Sequence, residues 1–311
     1  MSAAGQASPG LTSAGRISAG LTSVIVVSAD SGALLADCVA RALVSTGDVE
    51  LILVDNGSSD GQPQRVVADH LGDVRLHYLD NVDNLGFGPA CNRGAKLAHG
   101  DVLLFVNPDC LLEVDTAARL RATLEDAADA GIVGADVLDA EGWPTTSSRR
   151  RDPTLRRVVA TLSGAAAFES QWPALAGVAI PGKHPAEPES VDAISGACFA
   201  IRRDVFARLG GFDEGYFLHF EDLDLCRRVR DAGLRVMLDP AAPVRHLQGS
   251  SSHHRAAFVA RHKHAGMWRW FNRFDPAARN PALRGMVWLG IRAHLIWFRL
   301  RDGLRGRTTR T

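Results

Sequence analysis

The stretch "DVLLFVNPDC", residues 101–110, begins as a strand that is apolar on both faces and ends in an amide, a proline and a carboxylate. The unbroken run Val102–Val106 is what a strand covered on both sides requires, and such strands belong to parallel sheets. Pro108 has no N–H for a ladder and pushes Asn107 towards extended geometry, so the strand must stop there. Asn107 and Asp109 therefore stand at the carboxyl end of a core strand. Taken alone, the fragment leaves two readings open. One is an Asx-type turn before the next element. The other is a set of hard oxygen ligands for Mg2+ or Mn2+, which commonly take one or two protein carboxylates and fill the rest of their shell with water and phosphate.

Strands and helices alternate around this stretch. Upstream, the apolar spacing predicts strands at Ser23–Ser28, Glu50–Asp55 and Val74–Leu79. It predicts helices at Leu34–Val44, Pro63–Leu71 and Pro89–His99. Downstream come a helix over Asp115–Ala130, a strand over Gly131–Leu138 and a strand over Val191–Arg202. A further helix starts near Glu221 and ends at Gly233, followed by a strand over Leu234–Leu238 and a Pro/Ala loop. This is the signature of βαβ units and an α/β fold with a mostly parallel sheet flanked by helices. Ligands bind such sheets beyond the carboxyl ends of the strands, where Asp55 and Asp109 both fall. Asp139–Pro188, rich in Pro, Arg, Ser and Ala, reads as a long excursion or lid.

Composition places bounds on the rest. The chain has 311 residues, 46% hydrophobic and 23% charged, enough for one large α/β domain. Its zero net charge hides an asymmetry: from Ser251 onward there are 13 Lys and Arg against Asp275 and Asp302, so this tail is strongly basic and the remainder acidic. Residues 1–20 read as a disordered Ser/Ala/Gly-rich leader, not a signal peptide. The most apolar segment, Gly285–Leu300, is interrupted by Arg292, His294 and Arg299, so no transmembrane helix is expected. Cys38, Cys91, Cys110, Cys198 and Cys226 have no CxxC spacing and read as reduced thiols of a cytoplasmic protein.

Four further segments carry candidate chemistry. In "VDNGSSDG" Asp55 is either a turn residue or an acceptor for a nucleotide base or ribose. Phosphate loops of the GxxxxGK[ST] or GxGxxG type are absent after the first strand. "DNLGFGPACNRG" (83–94) is either a glycine-rich helix entry or a ligand-facing loop. In "FLHFEDLDLCRRVRDAG" (217–233) Glu221 and Asp222 open a helix, where its dipole favours acids, but they follow the bulky run Tyr216–Phe220. A carboxylate held beside such apolar side chains has the environment of a general base. His246 in "HLQGSS" is either structural or part of a metal or diphosphate site.

Together, "SVIVVSAD", "LILVDNGSSDG", "DNLGFGPACNRGAK", "FVNPDC", "SGACFAIRRDVFARLGGFDEGYFLHFEDLDLCRRVRDAG" and "HLQGSS" resemble, in order and interval, the family 2 glycosyltransferases of the GT-A fold. The similarity is strongest to the bacterial branch with rhamnosyltransferases of cell-wall and O-antigen assembly. The resemblance implies a catalytic domain over residues 21–252, with 139–190 as its lid and 253–311 as a basic, Trp-rich helical extension. It implies that Ser28, Asp30, Asp55, Asn84 and Asn107 serve a nucleotide-sugar donor. Asp109, the last aspartate of the Asp-x-Asp motif, and His246 would hold a divalent metal, Mg2+ or Mn2+. Asp222, with Glu221 beside it, would be the base of an inverting transfer to a saccharide acceptor. Two departures stand out: "SAD" where the branch shows an Asn-Tyr-Asn-like segment, and Asn107 in place of the motif's first aspartate.

The tail interleaves Met267, Trp268, Trp270, Phe271, Phe274, Trp288, Trp297 and Phe298 with arginines. Such helices lie on anionic membranes, which would suit a polyprenyl-diphosphate-linked acceptor and a peripheral place on the inner face of the cytoplasmic membrane. The alternative is a helix packed on the catalytic domain. Nucleic-acid binding is not expected, because no recognition motif accompanies the charge. Two other functions compete: a nucleotidyltransferase, which would want a basic glycine-rich loop where "SADSGALL" has none, and a sugar-nucleotide-binding module without catalysis.

Overall fold

The computed structural model describes residues 20–181, 184–247 and 256–308. The first half runs β1 (Thr22–Ser28), α1 (Leu34–Leu43), β2 (Val49–Asp55), α2 (Gln62–Asp69), β3 (Leu76–Asp80), α3 (Phe87–Leu97), β4 (Val102–Val106), β5 (Cys110–Leu112), α4 (Thr116–Asp126) and β6 (Ala130–Leu138). It continues through β7 (Arg149–Arg150), α5 (Leu155–Leu162), β8 (Glu189–Ser190), β9 (Ala193–Ile194), β10 (Cys198–Arg202), α6 (Arg203–Arg208), α7 (Glu221–Asp231), β11 (Arg235–His246), α8 (Ala256–Phe274) and α9 (Pro281–Thr308). One nine-stranded sheet has the order β3-β2-β1-β4-β10-β6-β11-β5, with β8 added on β11, while β7 and β9 form a separate ribbon. β1, β2, β3 and β4 are mutually parallel, as are β6 and β11, and β10 lies antiparallel between β4 and β6.

Strand alternation divides the core into two layers. Val24 and Val26 of β1 pack with Leu35 and Val39 of α1, Val66 of α2 and Leu120 of α4. Ile25 and Val27 face the other way, to Cys91 of α3, Phe206 of α6, Val229 of α7 and Trp270 of α8. Period-two side chains with helices on both faces are why β1, β2 and β4 read as unbroken apolar runs. The second layer centres on an aromatic cluster in which Phe105 lies 5.2 Å, ring to ring, from each of Phe199, Phe206 and Phe212.

The structure departs from the sequence reading in three places and fills in what that reading left open in two. The expected strand over Val191–Arg202 is two strands, because Ser195–Ala197 leaves the ladder to bond elsewhere. The expected Pro/Ala loop is a continuation of β11, whose register shifts between Asp239 and Pro243; a bulge is how a strand accommodates prolines. β5 and α6, three and six residues long, are too short to have a visible period. The 139–190 excursion contains β7, α5 and β8. α8 is no detached appendage, since Trp270 is only 1% exposed within the second core layer. No helix of the described residues is long and apolar enough to cross a membrane, and all five cysteines are buried free thiols.

Candidate active site

The turn after β4 is built by its own sequence. The Cys110 N–H donates to Asn107 O at 3.0 Å, closing a β-turn with Pro108 at its first corner, where proline's fixed φ is favoured. The chain then enters β5, antiparallel to the end of β11, with Cys110 opposite His246. The Leu247 N–H donates to Asp109 O at 3.0 Å, and His246 Nε2 lies 3.1 Å from Asp109 Oδ1. Asp109 and His246, 137 positions apart in sequence, are thus neighbours through a strand pairing.

A second carboxylate, Asp222 of α7, is tied to the same turn through the loop before β10. The Asn107 N–H donates to Ala197 O at 2.8 Å, and the next amide upstream, Gly196 N–H, donates to Asp222 Oδ2 at 3.1 Å. A Cβ on Gly196 would lie 3.0 Å from Asp222 Cβ, so this close approach favours glycine. Arg150 of β7 donates through Nη2 to the same Asp222 Oδ2 at 2.7 Å and to Ile194 O at 2.9 Å. Asp222 Oδ1 accepts from the Leu223 N–H at 2.8 Å. One segment, Ile194–Ala197, therefore joins the Asp109 turn, Asp222 and the excursion.

Glu221 sits differently from its neighbour. It is buried against Gly88 and beside Cys91 of α3, and its Oε2 has no hydrogen-bond partner among the described residues. Burial, then repulsion from Asp222, push its carboxyl up to about 8, so it is mostly protonated at neutral pH. Two adjacent carboxyl groups in contrasting surroundings can divide acid and base roles. The entry to α7 is strained: His219 and Phe220 take φ of 65° and 75°, a left-handed pair without a glycine. Phe217 O accepts from the Phe87 N–H at 2.8 Å, and Gly86, at φ 94°, leaves no room for a Cβ, which would lie 2.7 Å from that oxygen.

The remaining expected residues form a second cluster at the ends of β1 and β2. Asp55 is buried, and its oxygens accept from the Ser58 N–H, Gln64 Nε2 and Tyr78 Oη at 2.8–3.0 Å. Ser28 Oγ donates to Ser31 Oγ at 3.0 Å, and Asp30 Oδ1 accepts from the Ser59 N–H at 2.6 Å. Asn84 Oδ1 accepts from Asn56 Nδ2 at 3.0 Å. Asn56 also receives Asn81 Nδ2 and the Leu85 N–H, so this buried amide organises the loop. Sequence reasoning missed Asn56 although it stands inside the quoted "VDNGSSDG". It also missed Arg150, hidden in the run Arg149–Arg151, whose members pair with Glu189, Asp222 and Glu169 respectively. A cleft of about 530 Å3 between α3 and α6 is lined by none of these site residues.

Asp109, Cys110 and His246 each present one donor atom, all within 4.8 Å of one another. Burial pushes the Cys110 thiol well up, so it stays protonated, and it points to Ala197 O at 3.5 Å. The carboxylate and imidazole that remain suit Mn2+ or Mg2+ completed by phosphate and water.

Comparison with known proteins agrees with this geometry. Residues 19–268 match the profile "Glycosyltransferase like family 2". An N-acetylglucosaminyl-diphospho-decaprenol L-rhamnosyltransferase of Mycobacterium tuberculosis is 30% identical over 307 residues, covering 91% of this chain and 94% of the relative. A low-salt glycan biosynthesis hexosyltransferase of Haloferax volcanii is 26% identical over 61% of this chain and 56% of its own. Among solved structures, a mannosyltransferase from Pyrobaculum calidifontis in complex with GDP-Man and Mn2+ superposes with a TM-score of 0.56 at 18% identity, over 86% of this chain and 69% of that one. GalNAc-T7 with UDP, GalNAc and Mn2+ gives 0.60 at 18% identity, over 83% of this chain and half of that one. A matched profile across the whole sheet, and a relative aligned nearly end to end, identify the chain as a family 2 glycosyltransferase with the GT-A fold.

Proposed function

We propose that this enzyme transfers a sugar, rhamnose by its similarity to the mycobacterial relative, from a nucleotide-diphosphate donor to a lipid-linked saccharide with inversion at the anomeric carbon. The observation that carries the reading is the tie through Gly196 and Ala197, which sets Asp222 against the Asp109 turn. Ser28, Asp30, Asp55, Asn84 and Asn107 line the donor side. Asp109 and His246 would hold a divalent metal, which when bound supplies a Lewis acid for the donor diphosphate. Asp222 takes the acceptor hydroxyl's proton. Its Oδ2 is held by Arg150 and Gly196 and its Oδ1 by the single Leu223 N–H, so Oδ1, with the fewer donors, is the accepting oxygen. The freed acceptor oxygen bonds to the anomeric carbon as the bond to the diphosphate breaks, and the nucleoside diphosphate leaves. Glu221, protonated beside Asp222, keeps a second negative charge away from the base.

The excursion 139–190 supplies Arg150 and so forms the acceptor-side cover. In the tail, Met286, Trp288, Leu289, Ile296 and Trp297 are exposed on α9, and Arg292 and Arg301 lie 5.3 and 5.2 Å over the rings of Trp288 and Trp297. Aromatic side chains shielded by arginines suit an anionic bilayer, where a lipid-linked acceptor resides.

Asp222→Asn tests the assignment. Loss of a general base lowers turnover by about 100- to 10,000-fold, while nucleotide binding, read by calorimetry, stays within twofold. Turnover at the parent rate would remove Asp222 from the mechanism, and retention at the anomeric carbon, read by NMR of the product, would remove the single displacement.

A further inference from the structure

Glu50 is the second residue of β2, at the opposite end of that strand from Asp55, and it is a carboxylate only 5% exposed within an otherwise apolar run. Its two oxygens have separate surroundings. Oε1 accepts from Ser23 Oγ at 2.5 Å, the His99 N–H at 2.6 Å and the Gly100 N–H at 3.2 Å. Oε2 faces two imidazoles, His99 Nδ1 at 3.0 Å and His77 Nε2 at 3.4 Å. Burial alone would raise its carboxyl, but the Ser23, His99 and Gly100 hydrogen bonds outweigh it and hold the group below the usual range, so it stays anionic.

We propose that Glu50, His77 and His99 form a second divalent-cation site, for Zn2+ or a similar imidazole-seeking ion, at the end of the sheet remote from Asp109. The three donor atoms lie within 4.8 Å of one another. A tetrahedral zinc ion with bonds of about 2.0–2.1 Å sets its ligands roughly 3.3–3.4 Å apart, close to the two spacings seen here. The scaffold is fixed in advance. His77 pairs with Ile52, two residues on from Glu50, so strand alternation puts both side chains on one face. His99 is anchored by its own N–H on the same carboxylate, and Ser23 supplies the outer hydrogen bond that metal-ligating groups characteristically have.

His77 and His99 are 41% and 73% exposed, which leaves the fourth position open to water. The donor set separates this site from the Asp109 turn: two imidazoles and one carboxylate favour zinc, whereas the Asp109 turn offers one carboxylate and one imidazole, with phosphate and water oxygens to complete a shell for Mn2+ or Mg2+. A bound ion would cross-link the edge strand β3, β2 and the α3–β4 connection. The competing arrangement is a metal-free triad in which both imidazoles merely donate to Oε2.

The test uses the full chain stripped with chelator, titrated with Zn2+ by calorimetry in excess Mn2+, with Co2+ as an absorbing probe of tetrahedral coordination. The parent and Asp109→Asn each take up one Zn2+ equivalent and give the tetrahedral Co2+ spectrum. His77→Ala/His99→Ala, both at exposed side chains, loses that equivalent. Ser23→Ala, which removes the outer hydrogen bond to Glu50 together with the one Ser23 Oγ accepts from the Gly100 N–H, weakens Zn2+ by about 10- to 100-fold. A parent that binds no Zn2+ under these conditions, or a double variant that binds it as the parent does, overturns the proposal.

Discussion

Replacing Glu221 by Gln tests the reading of the carboxylate pair without relying on any assay of sugar transfer. In the folded protein Glu221 is buried beside Asp222 and titrates near 8; in the unfolded chain it returns to its ordinary 4.5. Below pH 4.5 both states hold the proton, and the group has no effect on stability. As pH rises from 4.5 towards 8 the unfolded chain ionises while the folded protein keeps its proton, so stability falls. Each pH unit inside that window costs up to about 1.4 kcal/mol, and above 8 the loss levels off. Between pH 5 and pH 7 the two titrations integrate to roughly 2–3 kcal/mol lost by the parent and absent from the variant, which has nothing to ionise there. Urea unfolding of both proteins at pH 5, 6, 7 and 8, in one ionic strength, measures it as a difference of differences, in which titrations elsewhere cancel. Parallel stability curves for parent and variant would mean that Glu221 is ionised at neutral pH and that Asp222 does not stand alone as the charged member of the pair.

The other expectations follow from contacts already described. Arg150→Ala frees Asp222 Oδ2 from its ion pair and lowers kcat by up to about 100-fold through misplacement of the base. Nucleotide affinity should stay near the parent's, and Arg150→Lys should recover part of the loss; a fall in nucleotide affinity equal to the fall in kcat would instead place Arg150 on the donor. Asp109→Asn and His246→Ala should each weaken Mn2+ binding, measured by electron spin resonance of the free ion, by at least about tenfold; unchanged binding would move the metal elsewhere. Trp288→Ser/Trp297→Ser should lose flotation with anionic liposomes and leave the thermal midpoint unchanged, since both rings are exposed. Equal flotation of parent and variant would assign α9 to another role. Cutting the chain before α8 would not serve as that control, because it removes Trp270 from the core.

The fold was legible wherever one strand or helix carried its own signal. The runs at β1, β2 and β4 and the acid pair at the start of α7 are local patterns, and the structure has them within a few residues of the expected bounds. Asp109 and His246 were named from motif order, and the β5–β11 pairing explains their contact. Arg150 could not be found in this way. In the sequence Arg149, Arg150 and Arg151 are equivalent members of a basic run; only the β7–β9 register, Arg150 opposite Ala193, selects the one that reaches Asp222. Glu50 was hidden for the opposite reason, since a single acid at the start of an apolar strand reads as a strand boundary, and its partners lie 27 and 49 positions away. In the tail, α8 packs through Trp270, one of the two expected arrangements, while α9 keeps its Trp288 and Trp297 exposed.

The direction of β10 decides how the Asp109 turn and Asp222 come together. In a wholly parallel sheet the loop preceding a strand lies at the opposite end from the turn that follows its neighbour. β10 runs against β4, with Cys198 opposite Val106, so the loop that enters β10 meets the turn that leaves β4. That single reversal lets Ala197 accept the Asn107 N–H while Gly196, one residue earlier, donates to Asp222. It also accounts for the broken run at Ser195–Ala197, whose backbone groups are committed to the site instead of a ladder. A substitution that straightens this segment, such as Gly196→Val, should therefore disturb Asp222 and the Asp109 turn together, lowering both turnover and Mn2+ affinity: a Cβ added there would lie 3.0 Å from Asp222 Cβ, and any displacement of Ala197 is passed directly to Asn107.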